Sequence, residues 1–83
     1  MNFIAEVRIE LKRGVEDPEG MSTNKALRLL GFKNIVNVRA IKVFEIEVTE
    51  EDKIKVKERV EAMCEKLLAN PVIHNYSISI KEL

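Results

Sequence analysis

Val36-Asn37-Val38-Arg39-Ala40-Ile41-Lys42-Val43-Phe44-Glu45-Ile46-Glu47-Val48 is the stretch on which the fold turns. Its even positions read Val, Val, Ala, Lys, Phe, Ile, Val, a single alternation phase with Lys42 as the only polar interruption. A period of two sends successive side chains to opposite faces of a strand, so the stretch predicts a strand with one buried face. A two-residue hairpin would switch that phase, and no Asn-Gly, Asp-Gly or proline stands near positions 40 to 42. The pattern therefore predicts one long strand over 36–48, bent or split near Ile41, in preference to a tight hairpin. Strands commonly run about 5–6 residues, and a small domain has little sheet of its own to match the excess. The surplus edge is expected to pair with another chain.

On the N-terminal side, Phe3, Ala5, Val7, Ile9 and Leu11 alternate with Glu6, Arg8, Glu10 and Lys12 and predict a first strand. Arg13 to Gly20 holds Gly14, Pro18 and Gly20, residues that interrupt regular structure, and predicts a surface loop. Ser22 or Thr23 is expected to cap a short helix with an apolar stripe of Ala26, Leu27 and Leu30. Gly31 would end that helix in the left-handed conformation, with Phe32 packing back on Leu27. On the C-terminal side, Thr49 is expected to cap a second helix whose first turn carries Glu50, Glu51 and Asp52, charges suited to the positive end of the helix dipole. Val56, Val60, Met63, Cys64 and Leu67 form the stripe that covers the sheet. Ile54 falls opposite that stripe and Leu68 at its edge, where a partner is able to bury them. Asn70-Pro71 stops the helix, and the alternation from Val72 to Ile80 predicts a last strand.

The order strand, helix, long strand, helix, strand is that of a single α+β domain over residues 1–83. The expected architecture is a two-layer sandwich, an antiparallel or mixed sheet with two helices on one face, ferredoxin-like in general character. A composition of 46% hydrophobic and 34% charged residues belongs to a folded soluble chain and argues against disorder. Fourteen basic residues balance fourteen acidic ones, so no summed field steers the protein onto nucleic acid or anionic membranes. Charges within the first eight residues break any signal peptide, no apolar run is long enough to span a membrane, and the single cysteine rules out an internal disulfide. A cytoplasmic location is expected.

Chemistry is hard to find. Cys64 and His74 are the only cysteine and histidine, yet Cys64 lies in the buried stripe, where an apolar setting depletes the thiolate. No phosphate-binding loop or dinucleotide turn is present. Glu45 and Glu47 fall on an outward strand face, while Phe3 and Phe44 fall in the core phase, which removes the exposed aromatics of an RNA-binding sheet. No catalytic, cofactor-binding or metal-binding residue is expected. The chain reads as a small subunit that works by assembling with larger partners. A dimeric, amino-acid-binding regulatory domain is the alternative.

Leu11-Lys12-Arg13-Gly14-Val15, Asp17-Pro18-Glu19-Gly20, Ala26-Leu27, Leu30-Gly31-Phe32, Val38-Arg39 with Lys42, Phe44-Glu45, and Lys66 to Ile73 together resemble the PurS-type small subunit of phosphoribosylformylglycinamidine synthase, in register over essentially the whole chain. Arg13 departs from a common proline of that family and Ile41 from a common glycine. The resemblance implies a place in purine biosynthesis, in an enzyme of three proteins: a glutaminase that releases ammonia, a large synthetase that uses ATP and Mg, and a small subunit that holds the two together and supports ammonia transfer. It also implies self-association as a dimer or tetramer. Gly14, Asp17, Pro18 and Gly20 of the loop, Arg39, Lys42, Val43, Phe44 and Glu45 of the long strand, and Ile54 are the expected partner contacts.

Overall fold

The computed structural model describes residues 1–83, with β1 (Asn2–Leu11), α1 (Pro18–Leu29), β2 (Lys42–Thr49), α2 (Lys53–Met63) and β3 (His74–Glu82). The α+β class and the element order are those expected. The sheet is antiparallel in the order β2-β1-β3. Val7 stands opposite Phe44 on one side and Ile78 on the other, so the odd residues of β1 share a face with the even residues of both neighbours. Phe3, Ala5, Val7 and Ile9 on that face are buried, and α2 lies across it with Val56, Val60 and Cys64 fully enclosed. Burying each Val, Ile or Phe stabilises the fold by about 1.5–3 kcal/mol. With eight residues in the buried cluster, the core is thin.

Both helices start later or earlier than their hydroxyl residues suggest, because aspartates cap them. Asp17 Oδ1 accepts from Gly20 N–H at 2.9 Å, and Pro18, with no N–H to satisfy and φ already set, opens α1. The helix thus begins ahead of Ser22 and Thr23 and consumes the end of the expected loop. Asp52 Oδ1 accepts from Lys55 N–H at 2.9 Å and caps α2, while Thr49 remains in the sheet, its hydroxyl donating to Asn2 Oδ1 at 2.8 Å. The end of α1 is as expected: Gly31 sits at φ +100°, its N–H bonds Arg28 O, and Phe32 N–H bonds Leu27 O. The Phe32 ring nevertheless stays exposed, so only its backbone returns to Leu27.

Two further corrections follow from geometry. After Met63 the helix widens into one π turn, Cys64–Leu68, closed by Ala69 N–H to Cys64 O at 2.9 Å. The extra residue per turn rotates Leu67 outward, to 83% exposure, and brings Ala69 into the core in its place. Asn70 then folds a turn, accepting from Ile73 N–H and His74 N–H through its carbonyl and from Val72 N–H through its side chain, which delays β3 to His74.

The long strand is hydrogen-bonded only from Lys42 to Thr49. Beyond the Ile9–Lys42 pair the segment leaves β1, whose Leu11 O accepts from the Arg39 side chain instead, and β1 itself ends before the turn at Gly14, φ +83°. Residues 33–41 therefore run past the sheet beside α1. Ala40 N–H donates to Asp17 Oδ2 at 2.9 Å, and Arg28 Nη2 donates to Ile35 O at 2.7 Å. A Cβ on Gly20 would lie 2.5 Å from Val38 O, so only glycine admits this approach. α2 alone covers the sheet, while α1 and residues 33–41 form an arm that leaves Leu29 80% and Leu30 75% exposed. The molecule reaches 51 Å along its length, with a radius of gyration of 16.3 Å. A compact chain of this size has about 12 Å.

Phe3→Ala is expected to lower stability by about 3–5 kcal/mol in urea unfolding, the usual cost of emptying a buried aromatic site. Ile54→Ala, at a 71% exposed position, is expected to stay within about 0.5 kcal/mol. The bonds from Gly20 and Ala40 N–H hold the Asp17 carboxyl below the usual carboxylate range. A lowered folded pKa means that this contribution is complete above the unfolded value of about 4 and is lost as pH falls through the folded value. Thermal melting followed across that acid range is expected to show this loss in the wild type and to lack it in Asp17→Asn.

Candidate partner interface

Backbone direction identifies the free edge. Glu50 N–H bonds Met1 O at 3.0 Å, so the even residues of β2 turn their N–H and C=O towards β1. Strand alternation then turns those of Val43, Glu45 and Glu47 to the outer edge, where no strand meets them. On the covered face, Phe44, Ile46 and Val48 are only partly buried, because α2 sits towards β1 and β3. Lys42 Nζ stands 5.7 Å from the centroid of the Phe44 ring. Such a contact is worth about 0.5–1 kcal/mol at an exposed site.

The loop candidates have work within the chain. Asp17 holds the arm to the start of α1, and Gly20 lets the two approach. Arg39 Nη2 donates to Leu11 O at 3.1 Å and lies 3.4 Å from Glu10 Oε2, clamping the arm to the end of β1. Asp17, Pro18 and Lys42 join Ile9, Leu11 and His74 around an open cleft of about 620 Å³. Gly14, Asp17 and Arg39 line the groove on the other side of Asp17. Val43 is half-exposed and Glu45 exposed along the β2 edge, whereas Ile54 stands apart on the outer side of α2. Sequence reasoning missed the apolar arm surface of Leu29, Leu30, Phe32 and Val36. Leu30 and Val36 carry core periodicity, and nothing local says that they find no core within their own chain.

Cys64 is fully buried, and burial, reinforced by Glu61 and Glu65, pushes its thiol up. Burial likewise raises the Tyr76 phenol, with Glu65, Cys64 and Glu61 adding to it. His74 Nδ1 accepts from Asn70 N–H at 2.9 Å, which ties that nitrogen to the turn before β3. No group of three or more His, Cys, Asp or Glu side chains is placed to hold a metal ion, and no helix is long and apolar enough to cross a membrane.

The model of the PurS family, described as phosphoribosylformylglycinamidine (FGAM) synthase, matches residues 4–82. The phosphoribosylformylglycinamidine synthase subunit PurS of Archaeoglobus fulgidus is 54% identical over 80 residues, 96% of this chain and all of that protein. The crystal structure of Methanocaldococcus jannaschii PurS, one of the subunits of formylglycinamide ribonucleotide amidotransferase, superimposes with a TM-score of 0.88 at 49% identity over 98% of both chains. A chain of the PurLQS structure from Thermotoga maritima gives a TM-score of 0.88 at 30% identity, covering 98% of this chain and 99% of that one. The chain belongs to the PurS family of FGAM synthase.

Proposed function

We propose that this chain is the assembly subunit of an FGAM synthase, the glutamine- and ATP-dependent ligase of purine biosynthesis that converts formylglycinamide ribonucleotide to its amidine. The observation that carries the reading is the near-complete match to a chain of the PurLQS structure. The subunit bridges the glutaminase and the large synthetase, supports ammonia transfer between them, and acts in the cytoplasm. ATP and Mg belong to the synthetase partner. The reading that no catalytic group sits on this chain is supported by the enclosed Cys64 and by the engagement of His74 in a turn. The family match does not favour the amino-acid-binding alternative.

Self-association belongs to the same role, through the outer edge of β2. The partly uncovered apolar face behind that edge favours it. The cleft and groove on either side of Asp17 are the second candidate surface, facing a larger subunit. There Lys42 and the Arg13–Gly14 turn offer the exposed polar positions.

Mixing the purified chain with the glutaminase and synthetase of the same organism is expected to give glutamine-dependent, ATP-dependent amidine formation that stops when this chain is left out. An unchanged rate without it would remove the assembly role. Val43→Pro deletes an N–H that points to the outer edge and so spares the ladder with β1. It is expected to weaken self-association by about tenfold or more, as loss of hydrogen bonds worth about 1 kcal/mol each at two related positions implies. Sedimentation equilibrium checks this.

A further inference from the structure

Charge is balanced over the whole chain and divided within it. Between Glu19 and Glu45 there is no acidic residue and there are five Lys or Arg, whereas the other 58 residues hold nine Lys or Arg and all fourteen acidic ones. The acid-free stretch comprises α1 from Gly20 onward, the arm and the first three residues of β2. It carries +5 against −5 for the rest of the molecule, so a field of one sign surrounds α1 although the net charge is zero. α1 turns Gly20 and Leu27 towards the arm, where Gly20 is buried and Leu27 half-buried. Met21, Lys25, Arg28 and Leu29, at positions i, i+4, i+7 and i+8, form a stripe on its outer side and with Asn24 line a shallow depression of about 450 Å³. Met21 is 59% and Leu29 80% exposed. Arg28 is held rigid in that stripe, its Nε donating to Asn24 Oδ1 and its Nη2 to Ile35 O, each at 2.7 Å. Neither Arg28 nor Lys25 meets a carboxylate of its own chain, and Nη1 of Arg28 has no partner.

We propose that the outer side of α1 docks an acidic surface of a larger subunit of the complex, with an Asp or Glu of that subunit seated against Arg28 and Lys25 and an apolar side chain between Met21 and Leu29. The inference deepens the bridging role proposed above and rests on it. Three features of the chain select this occupant. A guanidinium already fixed by two hydrogen bonds loses little freedom when a carboxylate arrives, and its planar fork suits that group. Met21 and Leu29 beside it exclude water once covered, the setting in which an interfacial Arg contributes most. Charge then decides between partners. A two-fold contact through this face would set it against its own copy, where no acidic residue stands between Glu19 and Glu45, so like charges would meet. Seating it on the acidic body of another copy is a head-to-tail contact, which grows into rings or filaments and does not close as a pair. A nucleic-acid backbone would meet the −5 of the body next to the +5 of α1 and the arm. An acidic patch on a different protein satisfies all three features.

Surface plasmon resonance of the full chain against the synthetase and the glutaminase of the same organism, each alone and both together, tests this over a series of salt concentrations. Lys25→Glu reverses one exposed charge that has no partner in the fold. It is expected to weaken binding to one larger subunit by about tenfold or more, mainly through a slower association rate, and to flatten the fall of affinity with salt. Leu29→Ala is expected to weaken the same complex through faster dissociation. Lys57→Glu, the same charge change on exposed α2, is expected to leave affinity and salt dependence as in the wild type, and circular dichroism confirms that each variant keeps its helices. Affinity for both larger subunits that is unchanged in Lys25→Glu and in Leu29→Ala at every salt concentration overturns the proposal, while the reconstitution assay still reads the bridging role. Loss of self-association in sedimentation equilibrium, with subunit affinity unchanged, makes the occupant a second copy and overturns it as well. Binding of mixed-sequence RNA as tight as that of either subunit, and lost in Lys25→Glu, assigns the face to nucleic acid and does the same. A wild type that binds neither larger subunit nor their mixture, and whose omission leaves amidine formation unchanged, overturns the proposal and the bridging role together.

Discussion

β1 is the only strand hydrogen-bonded on both sides, and every buried contact of the sheet passes through it. Its odd residues form the floor on which α2 rests, and its neighbours are in register only because their even residues match that floor. Where β1 stops, at Leu11, the paired sheet stops too. Beyond that point α1 and residues 33–41 are held by polar contacts from the end of β1 and from both ends of α1. Asp17 is central among these, since one carboxylate caps the helix and receives Ala40 N–H.

This division explains why the chain suits an assembly role. A core of eight buried residues is enough to organise three strands and one helix, and not enough to recruit a second helix. Many of the apolar residues left over lie on two surfaces, the open half of the face over β2 and the arm, while Ile54 and Leu67 are exposed singly elsewhere. Such surfaces are costly to leave in water and easily satisfied by another chain. The single thiol is drawn into the same core, where burial raises its pKa.

Much of this was legible in the residues. The alternation in Phe3 to Leu11 and in Lys42 to Val48, the left-handed end of α1 at Gly31 and the buried Val56, Val60 and Cys64 all follow from local pattern, and the structure bears them out. The misses have physical causes. A capping aspartate competes with nearby serine and threonine, and sequence order alone does not rank Asp17 above Ser22 or Asp52 above Thr49. A π turn shifts the helical phase by one residue, so Leu67 and Ala69 exchange roles. Periodicity reports which face of Val36 to Val48 is apolar, and it says nothing about how much of that stretch finds a strand partner within the chain. Periodicity is equally silent on the contacts within the arm, where Arg39 bonds the end of β1 and Gly20 admits the close approach of Val38.

On the self-association proposed above, the outer edge of β2 is covered in solution by another copy of the chain. Amide hydrogen exchange at Val43, Glu45 and Glu47 tests it most directly, because their N–H groups meet no strand within the chain while those of Phe44, Ile46 and Val48 face β1. With the edge covered, both sets are protected at high protein concentration and dilution releases the odd set first. Free exchange at Val43, Glu45 and Glu47 at every concentration would contradict it.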